Sequence, residues 1–383
     1  MVDLRGVIHT ITPGDHYSPR TGSAVPTVVH GLAAAALRAG DPRHAVVVDD
    51  STYQPRYDSA EVLEYRGIAR PTVRQQRLDM LRARLGRARR ATLDYFEPIA
   101  ARLEREPPAV VIAHNAPLMP HLLGHTDHDV VLYMHNQLLR TYARSEIAGA
   151  LSSVKRIVCV SDALATETRA LLPRVLRDRV RVVENAVDTT QFRPSLDPRP
   201  AGPLRVLFVG RVIADKGADV LLRAAAEFRA DEITVRVVGS QGFDPHAVLS
   251  AHETELRRLA ARMAPSVEFL PFTLRPDVPN LYRQSDVLVV PSRWPEPSGL
   301  TIGEGMATGL PVIASAVGGI PQVVGDAGVL VPPDDPIALA AALRRLLEST
   351  DERTRLGLAA RARSETRSWD WAWGNLRAVL DAL

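Results

Sequence analysis

Leu204-Arg-Val-Leu-Phe-Val-Gly210-Arg211-Val-Ile-Ala-Asp215-Lys216-Gly217, running on into the helical pattern of residues 218–228, decides the class of fold. Six mostly apolar residues make a strand. A glycine ends it, and after a short polar loop the apolar spacing changes from continuous to helical, which is one βα unit. The same rhythm recurs at 234–238, 267–270, 287–290, 312–314 and 329–331. Upstream it occurs at 4–11, 45–48, 109–113, 130–134, 157–160 and 180–183. Strands apolar without interruption belong to parallel sheets covered by helices on both faces. Two such series predict an α/β protein of two Rossmann-like, doubly wound domains.

The chain has 383 residues, enough for two domains, and its 46% hydrophobic and 24% charged content is that of a globular protein. Phe192-Arg-Pro-Ser-Leu-Asp-Pro-Arg-Pro-Ala-Gly-Pro203 carries four prolines, which predicts a stiff connector between domains at 1–193 and 204–366. The single cysteine, Cys159, excludes an internal disulfide framework and a cysteine-cluster zinc site. A formal charge of +3 argues against nucleic acid as a partner. The start of the sequence lacks the apolar run of a signal peptide, and no stretch is long enough to span a bilayer, so a cytoplasmic protein is expected. Of 47 basic residues only Lys155 and Lys216 are lysine, leaving 45 arginines. A lysine kept at a site in such a chain suggests a need for a compact ammonium.

One segment breaks the βα rhythm. Between Arg66 and Arg90 there are nine arginines and a single acid, Asp79. Leu78, Leu81, Leu85, Leu93 and Phe96 keep helical spacing, so a basic amphipathic helix is predicted. Its apolar stripe either packs on the domain, with the arginines solvated, or the helix faces an anionic acceptor or a membrane surface.

Ligands of open α/β sheets bind beyond the carboxyl ends of the strands. After 204–209, Gly210, Arg211 and Lys216 stand beside a helix start, a combination suited to a phosphate or diphosphate. The spacing is neither Gly-x-Gly-x-x-Gly nor a P-loop, which counts against nicotinamide and ATP. After 287–290 comes Pro291-Ser-Arg-Trp-Pro-Glu296-Pro-Ser298-Gly299-Leu300-Thr-Ile-Gly-Glu304. The turn between the two glutamates predicts a helix start there, with Glu296 in the loop, Glu304 on the helix, and the N–H groups of Ser298, Gly299 and Leu300 beside them.

The string from Ser285-Asp-Val-Leu-Val-Val-Pro-Ser to Val317-Gly-Gly-Ile-Pro321, with its Glu-x7-Glu pair, resembles the signature of the retaining family 4 glycosyltransferases of the GT-B group. Further phrases resemble the same family: Gly210-Arg211…Lys216-Gly217, Glu184-Asn-Ala-Val-Asp188…Phe192, Cys159-Val-Ser161, Gly239 to Gly242 and Ser368-Trp369-Asp370-Trp371. The resemblance implies a GT-B fold, its two domains facing across a cleft, with 367–383 a helix packing back on the N-terminal domain. It departs at Thr21-Gly22, where the family has two glycines, at Ser298 for Phe, at Gly305 for Ala, and at Leu270-Pro271 for Leu-Gly.

The resemblance further implies glycosyl transfer from a nucleotide-diphosphate sugar, with UDP or GDP as the nucleotide, and with anomeric retention. Arg211 and Lys216 would stabilise the leaving diphosphate together with Gly22, Gly210 and the helix start at Ser298–Leu300. Glu304 would bind the ribose, Glu296 the sugar, and His135 the sugar or the reacting groups. No Asp-x-Asp metal site accompanies these motifs, so no metal and no further cofactor is expected. His16, Tyr17, His114 and Asn115 should line the acceptor pocket. The acceptor itself stays open between a small metabolite, a saccharide and a lipid-linked molecule, with peripheral membrane contact allowed. Alternatives are a GT-B nucleotide-sugar epimerase, a hydride-transferring Rossmann enzyme, and a non-catalytic sugar-binding or membrane-docking protein.

Overall fold

The computed structural model describes residues 6–84, 87–196 and 202–383. The chain divides into two compact units, one made of residues 1–185 and 369–383, the other of residues 186–368. The first unit is built on a seven-stranded sheet: β1 (Val7–Thr10), β2 (Ala45–Asp49), β3 (Glu61–Tyr65), β4 (Val110–His114), β5 (Asp129–Met134), β6 (Arg156–Cys159) and β7 (Val180–Val182). Their order across the sheet is β3-β2-β1-β4-β5-β6-β7, and every pairing is parallel. The second unit holds β8 (Leu204–Val209), β9 (Ile233–Val238), β10 (Ser266–Leu270), β11 (Val287–Val290), β12 (Val312–Ser315) and β13 (Val329–Val331). These are ordered β10-β9-β8-β11-β12-β13, again all parallel.

In both sheets the chain winds outward in one direction, returns to the middle and winds out in the other. The reversal lies between β1 and β4 in the first unit and between β8 and β11 in the second. Loops leaving those strands diverge there and open the crevice where ligands of such sheets bind. Alternation along the strands builds the cores. Val206, Phe208, Val287 and Val289 point into one apolar cluster of the second unit, while Leu207, Leu288 and Val290 point into the other.

The boundary between units departs from the proline-rich expectation. Val187 and Phe192 are buried in a core of the second unit, and Arg361 donates to the carbonyls of Thr189 and Phe192. The chain therefore changes unit at Asn185, ahead of the prolines. Part of the predicted connector, residues 197–201, lies outside the described residues. Strand β3 was not expected either.

The basic segment is two helices rather than one, Val73–Arg84 and Arg90–Leu103. Phe96 is buried as a stripe residue should be, but Leu78 and Leu81 are 49% and 55% exposed. Leu85 lies outside the described residues. The last helix, Trp369–Leu380, buries Trp369 and Trp373 and packs on the helix Ala24–Arg38 of the same unit. Trp373 Nε1 donates to Asp41 at 2.7 Å.

Candidate functional site

At the reversal point of the second sheet, the loops after β8 and β11 are locked together. Gly217, with φ +70°, turns the first loop so tightly that a Cβ there would overlap the Pro291 carbonyl oxygen at the end of β11. Lys216 is thereby delivered to Glu296, with which it makes an ion pair. Ser292 Oγ donates to the same carboxylate oxygen at 3.0 Å. The backbone of Glu296 is fixed as well. Gly319 N–H donates to its carbonyl at 2.7 Å, an approach possible because Gly318 has φ +58° and no Cβ to strike that carbonyl. Arg293 completes the lock, with both its terminal nitrogens 2.7 Å from Asp219 and its Nε 2.8 Å from Asp334.

Eight residues beyond Glu296, Glu304 sits on the helix Leu300–Ala307 and is 2% exposed. A buried carboxylate needs partners. Arg275 lies 2.6 Å from one oxygen, and Tyr282 Oη donates to the other at 3.0 Å. Burial, and then the adjoining carboxylate, push the Tyr282 hydroxyl well above its ordinary pKa, so it stays a donor. The helix opens at Gly299, φ +92°, without a side-chain cap; the Ile302 N–H turns back to the Gly299 carbonyl at 3.1 Å, and the N–H groups of Gly299 and Leu300 precede the first bond of the helix. Gly210 and Arg211 follow β8; Arg211 is exposed and makes no ion pair among the described residues. The second unit thus gathers Arg211, Lys216, Glu296, Ser298, Gly299, Leu300 and Glu304 around one sheet end.

In the first unit His135 follows β5 and ends a row of four histidines. His135 Nε2 is 2.8 Å from His114 Nδ1, His114 Nε2 is 2.9 Å from His9 Nδ1, and His9 Nε2 is 2.9 Å from His44 Nδ1. The sheet register explains the row. His9 pairs with Val46 on β2 and with Ile112 on β4; His44 lies two residues before the former and His114 two after the latter. His114 pairs with Tyr133, and His135 lies two residues beyond it. A step of two keeps side chains on one face, so the histidines form a diagonal across four neighbouring strands. Burial lowers every one of them: His135 to about 3, His44 to about 4, and His9 and His114 well below the ordinary value. All four rings are therefore neutral at physiological pH. The far end of the row, His44 Nε2, is buried without a hydrogen-bond partner.

Comparison with known proteins places this geometry in a family. Residues 25–191 match the sequence profile of Glycosyltransferase Family 4, and residues 203–349 match that of Glycosyl transferases group 1. The spore coat protein SA of Bacillus subtilis is 30% identical over 310 residues, covering 75% of this chain and 82% of that protein. The chain belongs to glycosyltransferase family 4. A D-inositol 3-phosphate glycosyltransferase of Salinispora arenicola is 36% identical over 277 residues, 65% of this chain, but the match spans only 60% of that relative's length. Among solved structures, a sucrose-phosphate synthase from Thermosynechococcus elongatus superposes with a TM-score of 0.79 at 21% identity, covering 99% of this chain and all of that one. The expectations of the family and of a GT-B fold with two Rossmann-like α/β domains are met.

The residues expected around an acceptor fare differently in this family 4 chain. Tyr17 is fully buried, with its hydroxyl 2.7 Å from Ser59 Oγ. His114 is fully buried too, with both ring nitrogens taken by other histidines. Neither can line an open pocket as expected; both belong to the interior of the first unit. His16 stacks on Tyr53 with ring centroids 4.0 Å apart and accepts from the Tyr53 N–H. Asn115, at φ 52°, accepts the His135 N–H at 2.8 Å and so positions that residue. Gly22 is exposed just ahead of the helix Ala24–Arg38. Among the described residues no group of three or more histidine, cysteine or acidic side chains is placed to hold a metal ion.

Sequence reasoning missed Arg275, Tyr282, Ser292, His9 and His44. A histidine in or next to each of four successive apolar runs was the available signal for the row. Its meaning depends on the strand order. Lys155, without a place in the sequence reading, pairs with Asp129 at 3.2 Å.

Proposed function

We propose that this chain is a retaining, metal-independent glycosyltransferase acting from a nucleotide-diphosphate sugar, with uridine or guanosine as the nucleoside. The observation that carries the reading is the Lys216–Glu296 pair at the ends of β8 and β11, beside a helix N-terminus with free N–H groups. These are opposite charges suited to the two charges that glycosyl transfer creates. As the bond from the anomeric carbon to the diphosphate oxygen breaks, the electron pair leaves with the diphosphate. Lys216, the exposed Arg211 and the N–H groups of Gly299 and Leu300 stabilise that growing anion. Glu296 holds the hydroxyls of the sugar and stabilises its cationic carbon. The acceptor hydroxyl bonds to the same face, and its proton leaves on the departing diphosphate.

Glu304 anchors the ribose hydroxyls. A carboxylate offers about four lone-pair sites, and Arg275 and Tyr282 use two of them. Two cations and a helix start supply the charge that a divalent ion would otherwise provide. For His135 the reading assigns a neutral hydrogen-bonding group rather than a proton-donating imidazolium. The acceptor is a hydroxylated small molecule, a saccharide or a lipid-linked sugar; the name of the Salinispora relative makes a phosphorylated cyclitol the first to try.

The test is release of nucleoside diphosphate in EDTA, screened over donors with and without acceptors and followed by mass spectrometry of the product. Release that depends on acceptor, with a product of retained anomeric configuration, supports the reading. A strict divalent-metal requirement, or donor epimerisation without release, overturns it.

A further inference from the structure

The helix Val73–Arg84 presents its apolar residues to solvent, and the cause is local. Thr72 and Gln75 cap its start reciprocally, with Thr72 N–H donating to Gln75 Oε1 at 2.8 Å and Gln75 N–H to Thr72 Oγ1 at 3.3 Å. Its single acid, Asp79, turns inward and caps the next helix, accepting from the Thr92 N–H and Thr92 Oγ1, both at 2.8 Å, and from the Ala91 N–H at 3.3 Å. Asp79 and Ala83 are the buried residues of the helix. At about 100° per residue, that anchor turns Leu78 and Leu81 to the far side. Val73, Leu78, Met80 and Leu81 are 40–64% exposed, and Ile68 just upstream is 51% exposed.

Arginines surround these side chains. Between Arg66 and Arg90, eight of the nine arginines are exposed; only Arg89 is buried, paired with Glu146 at 2.5 Å. No exposed acid lies in this segment among the described residues. Taking its nine arginines and one aspartate from the chain's 47 basic and 44 acidic residues leaves 38 against 43, a formal charge of −5 for the rest. The segment is thus a cationic, apolar-tipped patch on an otherwise anionic chain.

We propose that this patch docks on an anionic phospholipid bilayer, independently of the transfer chemistry above. Arginines reach the phosphate layer while their stems lie beside Leu78 and Leu81, which enter the acyl boundary. A polyanion without an apolar layer leaves five exposed aliphatic side chains unused. A bilayer takes them without needing a shaped pocket. The negative remainder of the chain is repelled by the same surface, so the patch also fixes which side of the first unit faces the lipid.

Vesicle sedimentation of the full chain tests this, with equimolar phosphatidylglycerol and phosphatidylcholine against phosphatidylcholine alone. Partition to the anionic vesicles at least tenfold above the neutral ones is expected, falling steeply between about 0.1 M and 1 M salt as the screening length shrinks. At roughly fivefold per arginine, the variant Arg74→Gln, Arg77→Gln, Arg82→Gln should bind about a hundredfold more weakly. Leu78→Ser with Leu81→Ser should lose at least tenfold at unchanged charge. These positions are exposed, so unchanged thermal denaturation should accompany both losses. Equal partition to both vesicles, or a leucine variant that binds like the wild type, overturns the proposal. So does a second copy of the chain, if light scattering shows a dimer that Leu78→Ser with Leu81→Ser dissolves.

Discussion

Lys216 and Glu296 neutralise each other before any substrate arrives. A diphosphate would compete for the ammonium and so free the carboxylate for the sugar. Lys216→Ala should therefore lower kcat by about 100–1000-fold, the usual cost of removing one preorganised donor. It should also weaken nucleoside-diphosphate binding in calorimetry. A second expectation concerns the four histidines. Each stays neutral in the fold, yet in the unfolded chain each binds a proton below its ordinary value of 6.5. Stability is then full above about pH 6.5 and falls as pH drops towards 4, by up to about 1.4 kcal/mol per pH unit for each histidine. Urea midpoints measured across that window should show the slope, and His44→Gln should make it shallower. The charged residues at strand ends could be read from the sequence because their loops carry glycine and proline punctuation. His9, His44 and Arg275 could not, since each acquires its partner only through strand order or a distant loop.

Among the elements, the strands of the second unit could be read because each carries a short run of mostly apolar residues; β8, β9, β11 and β12 are largely buried, and the edge strands β10 and β13 keep such a run although they are more exposed. Strand β3 escaped because it is an edge strand, Glu-Val-Leu-Glu-Tyr, exposed at both glutamates, and carries no continuous apolar run. The basic segment was legible as helical, but neither its division into two helices nor the facing of the first, which one buried aspartate sets, could be read. The packing of the helix Trp369–Leu380 on the helix Ala24–Arg38 depends on one large and one absent side chain. Gly31 lies against the Trp369 ring so closely that a Cβ would overlap it. Trp369→Ala should cost about 3–5 kcal/mol in urea denaturation. Gly31→Ala should cost about 1–3 kcal/mol by overpacking. The double variant should recover part of the sum, since the smaller residue at 369 makes room for the new methyl group.

For the whole molecule, the two-domain plan was legible from two series of strands, whereas the crossing point was not. Proline marks where regular structure stops, but unit membership is decided by where Val187 and Phe192 are buried. A chain shortened to end at Ser368 should lose the cooperative unfolding of the first unit in calorimetry and keep that of the second. The reason is connectivity. The second unit is one continuous stretch, 186–368, while the first is made of 1–185 and 369–383. On the ribosome, then, the part made first is finished last. The early sheet must wait, without its closing tryptophan helix, through the synthesis of an entire second unit, and for that interval it is a natural client for whatever shields nascent chains.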